Sequence, residues 1–168
     1  MNTAAAGETE LWGSSSAAAD AREVERYLHT HIPLSRGMGV RVAALDEAGV
    51  RLAAPLGPNI NHRSTVFGGS ASALAILSAW TLLHVRLRAH SFAGHVVIQR
   101  NSVEYLSPIH GDFEAFCPTP PERVWGRFVD TLASRGKARL VLTAELLAAG
   151  VVTGTFRGEY VALGGEEG

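Results

Sequence analysis

The segment from Ser64 to Leu83 carries no charged side chain and no histidine, and it limits the possible fold more than any other part of the chain. From Ser70 to Leu87 the chain is rich in Ala and Leu and contains neither Gly nor Pro, which predicts one long helix. A membrane span is not our interpretation, because serines, threonines and two glycines interrupt the segment and its strictly apolar part is too short for a bilayer. A helix that is apolar on nearly every face is buried inside protein. The rest of the fold must therefore surround this helix.

The residues before this helix predict a short helix and a β-hairpin. Asp20 is a suitable N-cap for an amphipathic helix over residues 21–31, and Pro33 supplies a stop. Residues 40–45 and 50–55 have strand character, and the polar turn with a late glycine between them predicts an antiparallel hairpin.

The residues after the long helix predict four more strands. These strand patterns cover residues 95–106, 112–116, 138–147 and 151–163. Residues 124–134 fit either a helix or a strand, and a helix is favoured because apolar residues recur there every four positions.

The order of these elements predicts an α+β hotdog fold, in which one antiparallel sheet wraps around a long central apolar helix. Such a sheet covers the helix on most sides, which neither a sandwich nor a doubly wound sheet would do. We predict one domain over residues 20–164, with a disordered N-terminal tail at residues 1–19 and a short tail at residues 165–168. The exposed sheet edges predict a homodimer, or a dimer of dimers, that pairs edge strands.

The charge balance and the cysteine count exclude several classes of function. Fifteen basic and sixteen acidic residues give a net charge of −1, which does not favour binding to nucleic acid or to an anionic membrane surface. The single cysteine, Cys117, excludes an intramolecular disulfide and a CxxC metal motif, which fits a reducing compartment. The first nineteen residues lack the pattern of a secretory signal. We therefore predict a cytoplasmic protein.

No cofactor or metal is predicted. The histidines at positions 84, 90, 95 and 110 do not have metal-ligand spacing, and with one cysteine a structural zinc site is not expected. Neither a GxGxxG pattern nor a P-loop is present, so the sequence does not imply a nucleotide cofactor.

The loop before the long helix carries a family resemblance. Residues Asn59–Ser70, read as NINHRSTVFGGS and followed by the Ala- and Leu-rich helix, resemble the signature of hotdog thioesterases. Residues 32–40, 52–56 and 98–108 further resemble the YiiD C-terminal-domain family of thioesterases, and the likeness extends over residues 24–163. The resemblance implies a dimeric hotdog fold and an acyl-thioester substrate, such as an acyl-CoA or an acyl carrier protein of fatty acid metabolism.

The two glycines at the start of the helix are candidates for stabilising an oxyanion. The backbone N–H groups of Gly69 and Ser70 would point from the positive end of the helix toward a thioester carbonyl oxygen. The alternative is that Gly68 and Gly69 only let the helix enter the sheet closely.

The general base is harder to predict. Similar thioesterases place an Asp or Glu on the central helix at the position of Ile76, and Phe67 stands where relatives often have His. Between Glu47 and Glu104 there is no Asp or Glu at all. His62 is then the loop side chain whose ordinary pKa suits a base near neutral pH.

Three further loop side chains could take part in the reaction. Asn61 could orient a water or the thioester carbonyl, and Ser64 or Thr65 could donate a hydrogen bond to either. Ser64 near His62 also permits covalent catalysis, although the spacing does not prescribe the geometry. The alternative for the loop's Asn and His side chains is turn formation, in which they cap loop backbone.

The remaining predicted substrate-binding residues surround this loop. Glu104 could reach the loop of its own or of the partner subunit, although strand alternation allows either Glu104 or Tyr105 to face the helix, and not both. The predicted binding residues are Asn59, Ser64, Thr65, Val66, Phe67, Gly68 and Glu104, beside the catalytic candidates Asn61, His62, Gly69 and Ser70.

Three functions are compatible with these residues. The first is hydrolysis of an acyl-CoA or acyl-carrier-protein thioester in a pocket at the dimer interface. The second is a non-hydrolytic acyl-thioester binding domain, which the missing helix carboxylate motivates. The third, hydratase or dehydratase chemistry, is less favoured because such enzymes usually pair a loop His with a helix carboxylate.

Overall fold

A computed structural model describes residues 20–165 of the chain. The predicted tail at residues 1–19 and the last three residues, 166–168, lie outside the described residues.

The described chain contains four α-helices, one short 3-10 helix at Gly57–Asn59, and six strands. The helices are α1 Ala21–His31, α2 Pro33–Gly37, α3 Gly68–Ala89 and α4 Glu122–Arg135. The strands are β1 Arg41–Asp46, β2 Gly49–Ala54, β3 Gly94–Tyr105, β4 Phe113–Pro118, β5 Lys137–Ala148 and β6 Val151–Gly164.

The six strands form one sheet in the order β1-β2-β4-β5-β6-β3, and every neighbouring pair is antiparallel. The long helix α3 packs against β2, β3, β4, β5 and β6. One antiparallel sheet around a long central helix is the predicted hotdog fold, which is confirmed.

The central helix is buried because the sheet covers most of its surface. Leu74 and Leu83 are almost inaccessible to solvent, and the buried Tyr160 of β6 donates a hydrogen bond of 2.7 Å to the carbonyl of Ile76. By length and composition alone α3 could cross a membrane, yet most of its apolar stretch lies inside the protein. The burial of this helix, and not an amphipathic face, explains why its residues up to Leu83 carry no charge.

The N-terminal helix has the predicted bounds, but the predicted stop, Pro33, begins a second helix. The side chain of Asp20 accepts a hydrogen bond from the amide of Arg22, which caps the first turn of α1. The helix ends at His31, and after the single residue Ile32 the predicted stop, Pro33, is the first residue of the short helix α2. Proline has no N–H to satisfy and a helical φ, so it suits the first position of a helix.

The ambiguous segment at 124–134 is a helix, as favoured. Trp125, Phe128 and Leu132 form the buried face of α4. Gly136, which has a φ of 65°, ends the helix in the left-handed conformation that glycine adopts without strain.

Candidate active site

The loop that leads into α3 is anchored by one buried amide side chain. Asn59 is 2% exposed, and its Nδ2 donates to the carbonyls of Met38 and Pro55 at 2.9 and 2.8 Å. The backbone carbonyl of Asn59 accepts a hydrogen bond of 2.8 Å from the amide of Phe67. Asn59 therefore holds the beginning and the end of the loop together and is not in contact with the cleft described below.

Asn61 forms the turn inside this loop. Its Oδ1 accepts hydrogen bonds from the amides of Arg63 and Thr65 at 2.8 and 3.2 Å. Its Nδ2 donates to the Thr65 hydroxyl at 2.9 Å and to the Val66 carbonyl at 3.3 Å. The side chain is thus engaged with loop backbone and with Thr65, so the geometry matches the turn-forming alternative better than a role in orienting the substrate.

His62 and Ser64 lie on the exposed side of the same turn. Ser64 has a left-handed φ of 59°, and its amide donates to the carbonyl of Asn61. Neither residue lines the cleft at the start of α3 in this chain. The predicted donors Gly69 and Ser70 do not line it either, and the predicted site residues that do are Thr65, Val66 and Gly68.

The first turn of α3 leaves two amides without an acceptor. Phe67 is the N-cap and makes no side-chain capping bond, while its carbonyl accepts from the amides of Ser70 and Ala71 at 2.9 and 3.1 Å. The expectation that the Ser70 amide is a free donor is therefore wrong, because the turn tightens onto Phe67. Among the described residues, the amides of Gly68 and Gly69 have no hydrogen-bond partner, so the donor pair begins one residue earlier than predicted.

Aromatic rings lie against both glycines. A Cβ on Gly69 would collide with the ring of Phe67, and a Cβ on Gly68 would lie 3.3 Å from Cζ and the hydroxyl oxygen of Tyr105. These two rings remain 57% and 55% exposed. The alternative of close packing is thus correct in part, since the glycines make room for the rings that flank the two free amides.

Tyr105, not Glu104, faces the helix from strand β3. The Tyr105 hydroxyl donates a hydrogen bond of 2.7 Å to the carbonyl of Gly68. Alternation along the strand then directs Glu104 to the opposite face of the sheet, so Glu104 does not reach the loop of its own chain. The reason is a β-bulge between Ile98 and Arg100, which shifts the alternation by one residue.

A cleft of about 390 Å³ opens at the start of α3. One wall comes from the loop and the first turn of the helix, and the other from the end of β3 and the residues after it. The lining residues are Thr65, Val66, Gly68, Ala71, Tyr105, Leu106, Ser107, Pro108 and Ile109. The walls are mainly apolar, with the hydroxyls of a threonine, a tyrosine and a serine as their polar side-chain groups.

The segment after β3 is the part of the site that our prediction missed. Ser107, Pro108 and Ile109 line the cleft, and the carbonyl of Ile109 accepts a hydrogen bond of 2.8 Å from the amide of Val66. The sequence predicts that a strand ends at residue 106, but a strand end does not reveal which loop the following residues pack against.

Groups that could serve as a base or a metal site are scarce near the cleft. The residues that line the cleft include no carboxylate and no imidazole. Ile76, at the helix position where similar enzymes carry an acid, is packed against the core. No group of three or more His, Cys, Asp or Glu side chains in residues 20–165 could hold a metal ion.

The free thiol of the chain is not a nucleophile of this site. Cys117 is fully buried on β4, and burial raises the pKa of its thiol to about 12. A thiol with such a pKa stays protonated at neutral pH and is inert.

The chain matches a family model and is similar to several solved structures. The family model described as "Putative thioesterase (yiiD_Cterm)" matches residues 21–164. The structure is similar to that of a protein of unknown function from Chlorobaculum tepidum, with 27% identity, a TM-score of 0.81, and coverage of 86% of this chain and 94% of that one. It is also similar to a "putative thioesterase" from Shewanella oneidensis, with 25% identity, a TM-score of 0.76, and coverage of 85% and 96%. A protein of unknown function from Pseudomonas aeruginosa shares the fold at 21% identity, with a TM-score of 0.75 and coverage of 90% and 100%.

Proposed function

Because this chain belongs to the YiiD_C "putative thioesterase" family, we propose that it hydrolyses an acyl thioester of coenzyme A or of an acyl carrier protein in the cleft at the start of α3. The observation that carries the proposal is the pair of unpartnered amides, Gly68 and Gly69, at the positive end of a helix of 22 residues. Amides at this position stabilise a negative oxygen through both hydrogen bonding and the helix dipole.

The proposed reaction places the thioester carbonyl oxygen against these amides. A water oxygen attacks the carbonyl carbon, a C–O bond forms, and the carbonyl oxygen becomes an oxyanion. When the tetrahedral intermediate collapses, the C–S bond breaks, and after proton transfer the products are a carboxylic acid and a thiol. In other enzymes one such oxyanion donor is worth about 3 kcal/mol of transition-state stabilisation.

The acyl chain would lie along the apolar walls of the cleft. Val66, Ala71, Leu106 and Ile109 provide apolar surface beside the two amides. The Thr65 and Ser107 hydroxyls could hold the attacking water or the sulfur side of the substrate. We also propose a reducing, cytoplasmic location, in keeping with a free buried thiol and a near-neutral chain.

A second copy of the chain would complete the site. In the described chain, β3 pairs on one side only and is an edge strand of 12 residues. Exposed apolar side chains lie along it and around the cleft, at Val97, Leu106, Ile60 and Phe67. A homodimer through β3 would cover them and could bring His62 of the partner subunit to the cleft as the base, since long open edges seldom remain unpaired.

Incubation with a panel of acyl-CoAs and acyl-loaded acyl carrier proteins tests the proposal. The release of free thiol measures hydrolysis. We expect turnover on at least one chain length and a loss of about a hundredfold in Gly69→Ala, in which the added methyl group displaces the Phe67 ring and disturbs the donor amide. Gly126→Ala is the matched control, because a Cβ at this position in α4 meets nothing within 4 Å. His62→Ala should slow turnover if the partner subunit supplies the base. Absence of turnover on every substrate would refute hydrolysis.

A non-hydrolytic binding domain is the second candidate, and it is favoured by the absence of a carboxylate and an imidazole from the lining of the cleft. Saturable binding of acyl-CoA without product would decide for it, and it would keep the same residues in contact with the thioester.

A further inference from the structure

We infer that Tyr105 is a positioning residue for the oxyanion donor, because its hydroxyl fixes the Gly68–Gly69 peptide group whose N–H meets the substrate oxygen. The inference rests on the proposed function of the cleft and adds to it a residue outside the loop and the helix.

The geometry of one peptide group connects the two residues. The carbonyl of Gly68 and the amide N–H of Gly69 belong to the same planar unit and point in opposite directions. A hydrogen bond of 2.7 Å from the Tyr105 hydroxyl to that carbonyl therefore adds a contact from outside the helix that restricts where the Gly69 N–H points. It also polarises the peptide group, so that the N–H becomes a stronger donor.

The helix holds this peptide group on one side only, because the Gly68 carbonyl belongs to the hydrogen-bond ladder of α3 while the Gly69 amide has no partner among the described residues. Both of its residues are glycine, which has the largest conformational freedom of any residue. The N-cap Phe67 provides no side-chain hydrogen bond to the first turn. Helix ends without a cap fray, and a frayed donor would have to be reordered in every catalytic cycle.

Tyr105 is itself attached to a rigid part of the sheet. It is the last residue of β3 and pairs with Gly154 of β6. The next two amides, those of Leu106 and Ser107, both donate to the carbonyl of Thr153, at 2.9 and 3.2 Å. The hydroxyl of Tyr105 thus connects the beginning of α3 to a residue whose backbone is held by the sheet.

Stability alone does not account for this hydrogen bond. The Tyr105 side chain is 55% exposed, so water can replace its hydroxyl at the Gly68 carbonyl at small cost to folding. What water cannot provide is a fixed direction for the peptide group.

The decisive variant is Tyr105→Phe, which removes the hydroxyl and keeps the ring. We expect kcat to fall about three- to tenfold, the value of one neutral hydrogen bond, while KM and the unfolding midpoint stay nearly constant. Tyr160→Phe is the matched control, since it removes a tyrosine bond of the same 2.7 Å length to another carbonyl of α3, that of Ile76. It should lower stability and leave kcat of the folded protein unchanged.

Binding of two non-hydrolysable analogues separates this inference from the proposed function. One is an α,α-difluoroketone analogue of an acyl-CoA, whose hydrate has a tetrahedral carbon that bears two hydroxyl groups, and the other is the matching thioether, which has no carbonyl. Each is made with the acyl chain that is hydrolysed fastest, or with an octanoyl-length chain if none is hydrolysed. Tyr105→Phe should weaken binding of the ketone analogue by the same three- to tenfold factor and leave binding of the thioether unchanged.

The outcomes are distinct. If the wild type turns over and Tyr105→Phe has the same kcat and the same ketone affinity, the inference is wrong and hydrolysis stands. If the wild type does not turn over, hydrolysis fails, and the ketone-to-thioether comparison still decides the role of Tyr105. A fall in stability equal to that of Tyr160→Phe, with no selective loss of ketone binding, would show a structural role only.

Discussion

The start and the middle of the central helix receive the same contact in different surroundings. Tyr105 and Tyr160 each donate a hydrogen bond of 2.7 Å to a carbonyl of α3, at Gly68 and at Ile76. Tyr160 is fully buried, whereas Tyr105 is more than half exposed. In the middle of the helix every polar group must be satisfied for the chain to fold. At its start, water could satisfy the same group, so the chain can use that region for chemistry.

Shortening a buried side chain in the middle of the helix should have the largest effect on stability. Leu83 is 1% exposed and belongs to the core between α3 and the sheet. Leu83→Ala should lower the free energy of unfolding by about 2–5 kcal/mol, because it removes apolar contact and leaves a cavity. Urea denaturation measures the loss. The control is Leu34→Ala on α2, where the side chain is 63% exposed and the change should stay below about 0.5 kcal/mol. Equal effects of the two variants would contradict the described burial of α3.

The loop before the helix contains a buried polar residue, Asn59. Its hydrogen bonds should contribute to stability, like those in the middle of the helix. Asn59 holds the carbonyls of Met38 and Pro55, and Asn59→Ala would leave both without that donor. We expect a loss of about 2 kcal/mol in unfolding free energy, since two carbonyls lose their donor, while removal of the buried Asn59 Oδ1, which has no hydrogen-bond partner among the described residues, offsets part of the cost. Asn101→Ala, at an exposed position of β3, is the control for the loss of an asparagine. A loss below 0.5 kcal/mol, on the scale of an ordinary surface substitution, would mean that the loop ends are held by other contacts.

The same comparison explains how far the sequence could predict this molecule. The middle of α3 could be predicted because burial on most sides demands an uncharged helix, and the residues from Ala71 to Leu83 carry no charge. The strands followed from alternation for a similar reason. The start of the helix could be located from its two glycines, but the details there depend on single hydrogen bonds that leave no periodic signal.

Two particular details show the limit. Strand alternation left open whether Glu104 or Tyr105 faces the helix, and one bulge in β3 directs Tyr105 there. Likewise, the amide of Ser70 seemed free because helix starts leave unpaired donors, but the first turn closes onto the carbonyl of Phe67. A bulge and a tightened turn both depend on tertiary contacts with distant parts of the chain.

The C-terminal half of α3 adds a pH dependence to the buried region. Burial, and then the charges of Arg88 and His31, lower the pKa of His84 to about 4 from its ordinary value of 6.5. The unfolded chain therefore binds a proton at His84 at a pH where the folded chain does not. Stability from this residue is complete above pH 6.5 and is lost as the pH falls toward 4.

Urea denaturation at pH 7 and at pH 5 measures this effect. We expect the unfolding free energy to be about 2 kcal/mol lower at pH 5 because of His84, at about 1.4 kcal/mol for each pH unit below 6.5. The ring of His84 stacks on those of Tyr27 and Trp80, with centroids 4.6 Å away in both cases. In His84→Gln, which cannot take up the proton, the difference between the two pH values should shrink by that amount. An unchanged pH dependence would show that other groups cause it.

Substitution of Asn61 should have the smallest effect on stability, and it tests the role of the loop at the start of the helix most directly. Its side chain makes four hydrogen bonds with the loop and is only half-buried, so Asn61→Ala should cost about 1 kcal/mol of stability. If Asn61 acts only by shaping the turn, kcat should fall by less than about tenfold, and Asn61→Asp, which keeps the acceptor for the amides of Arg63 and Thr65, should recover part of the loss. If Asn61 instead contacts the thioester directly, kcat should fall by a hundredfold or more, as for other lost transition-state contacts, and Asp should not restore it. Parallel measurement of kcat and of the urea midpoint for the two variants distinguishes these cases. A large loss of kcat at constant stability would show that Asn61 takes part in the reaction and does not only shape the loop. It would also imply that the substrate displaces the hydrogen bonds seen in the free protein.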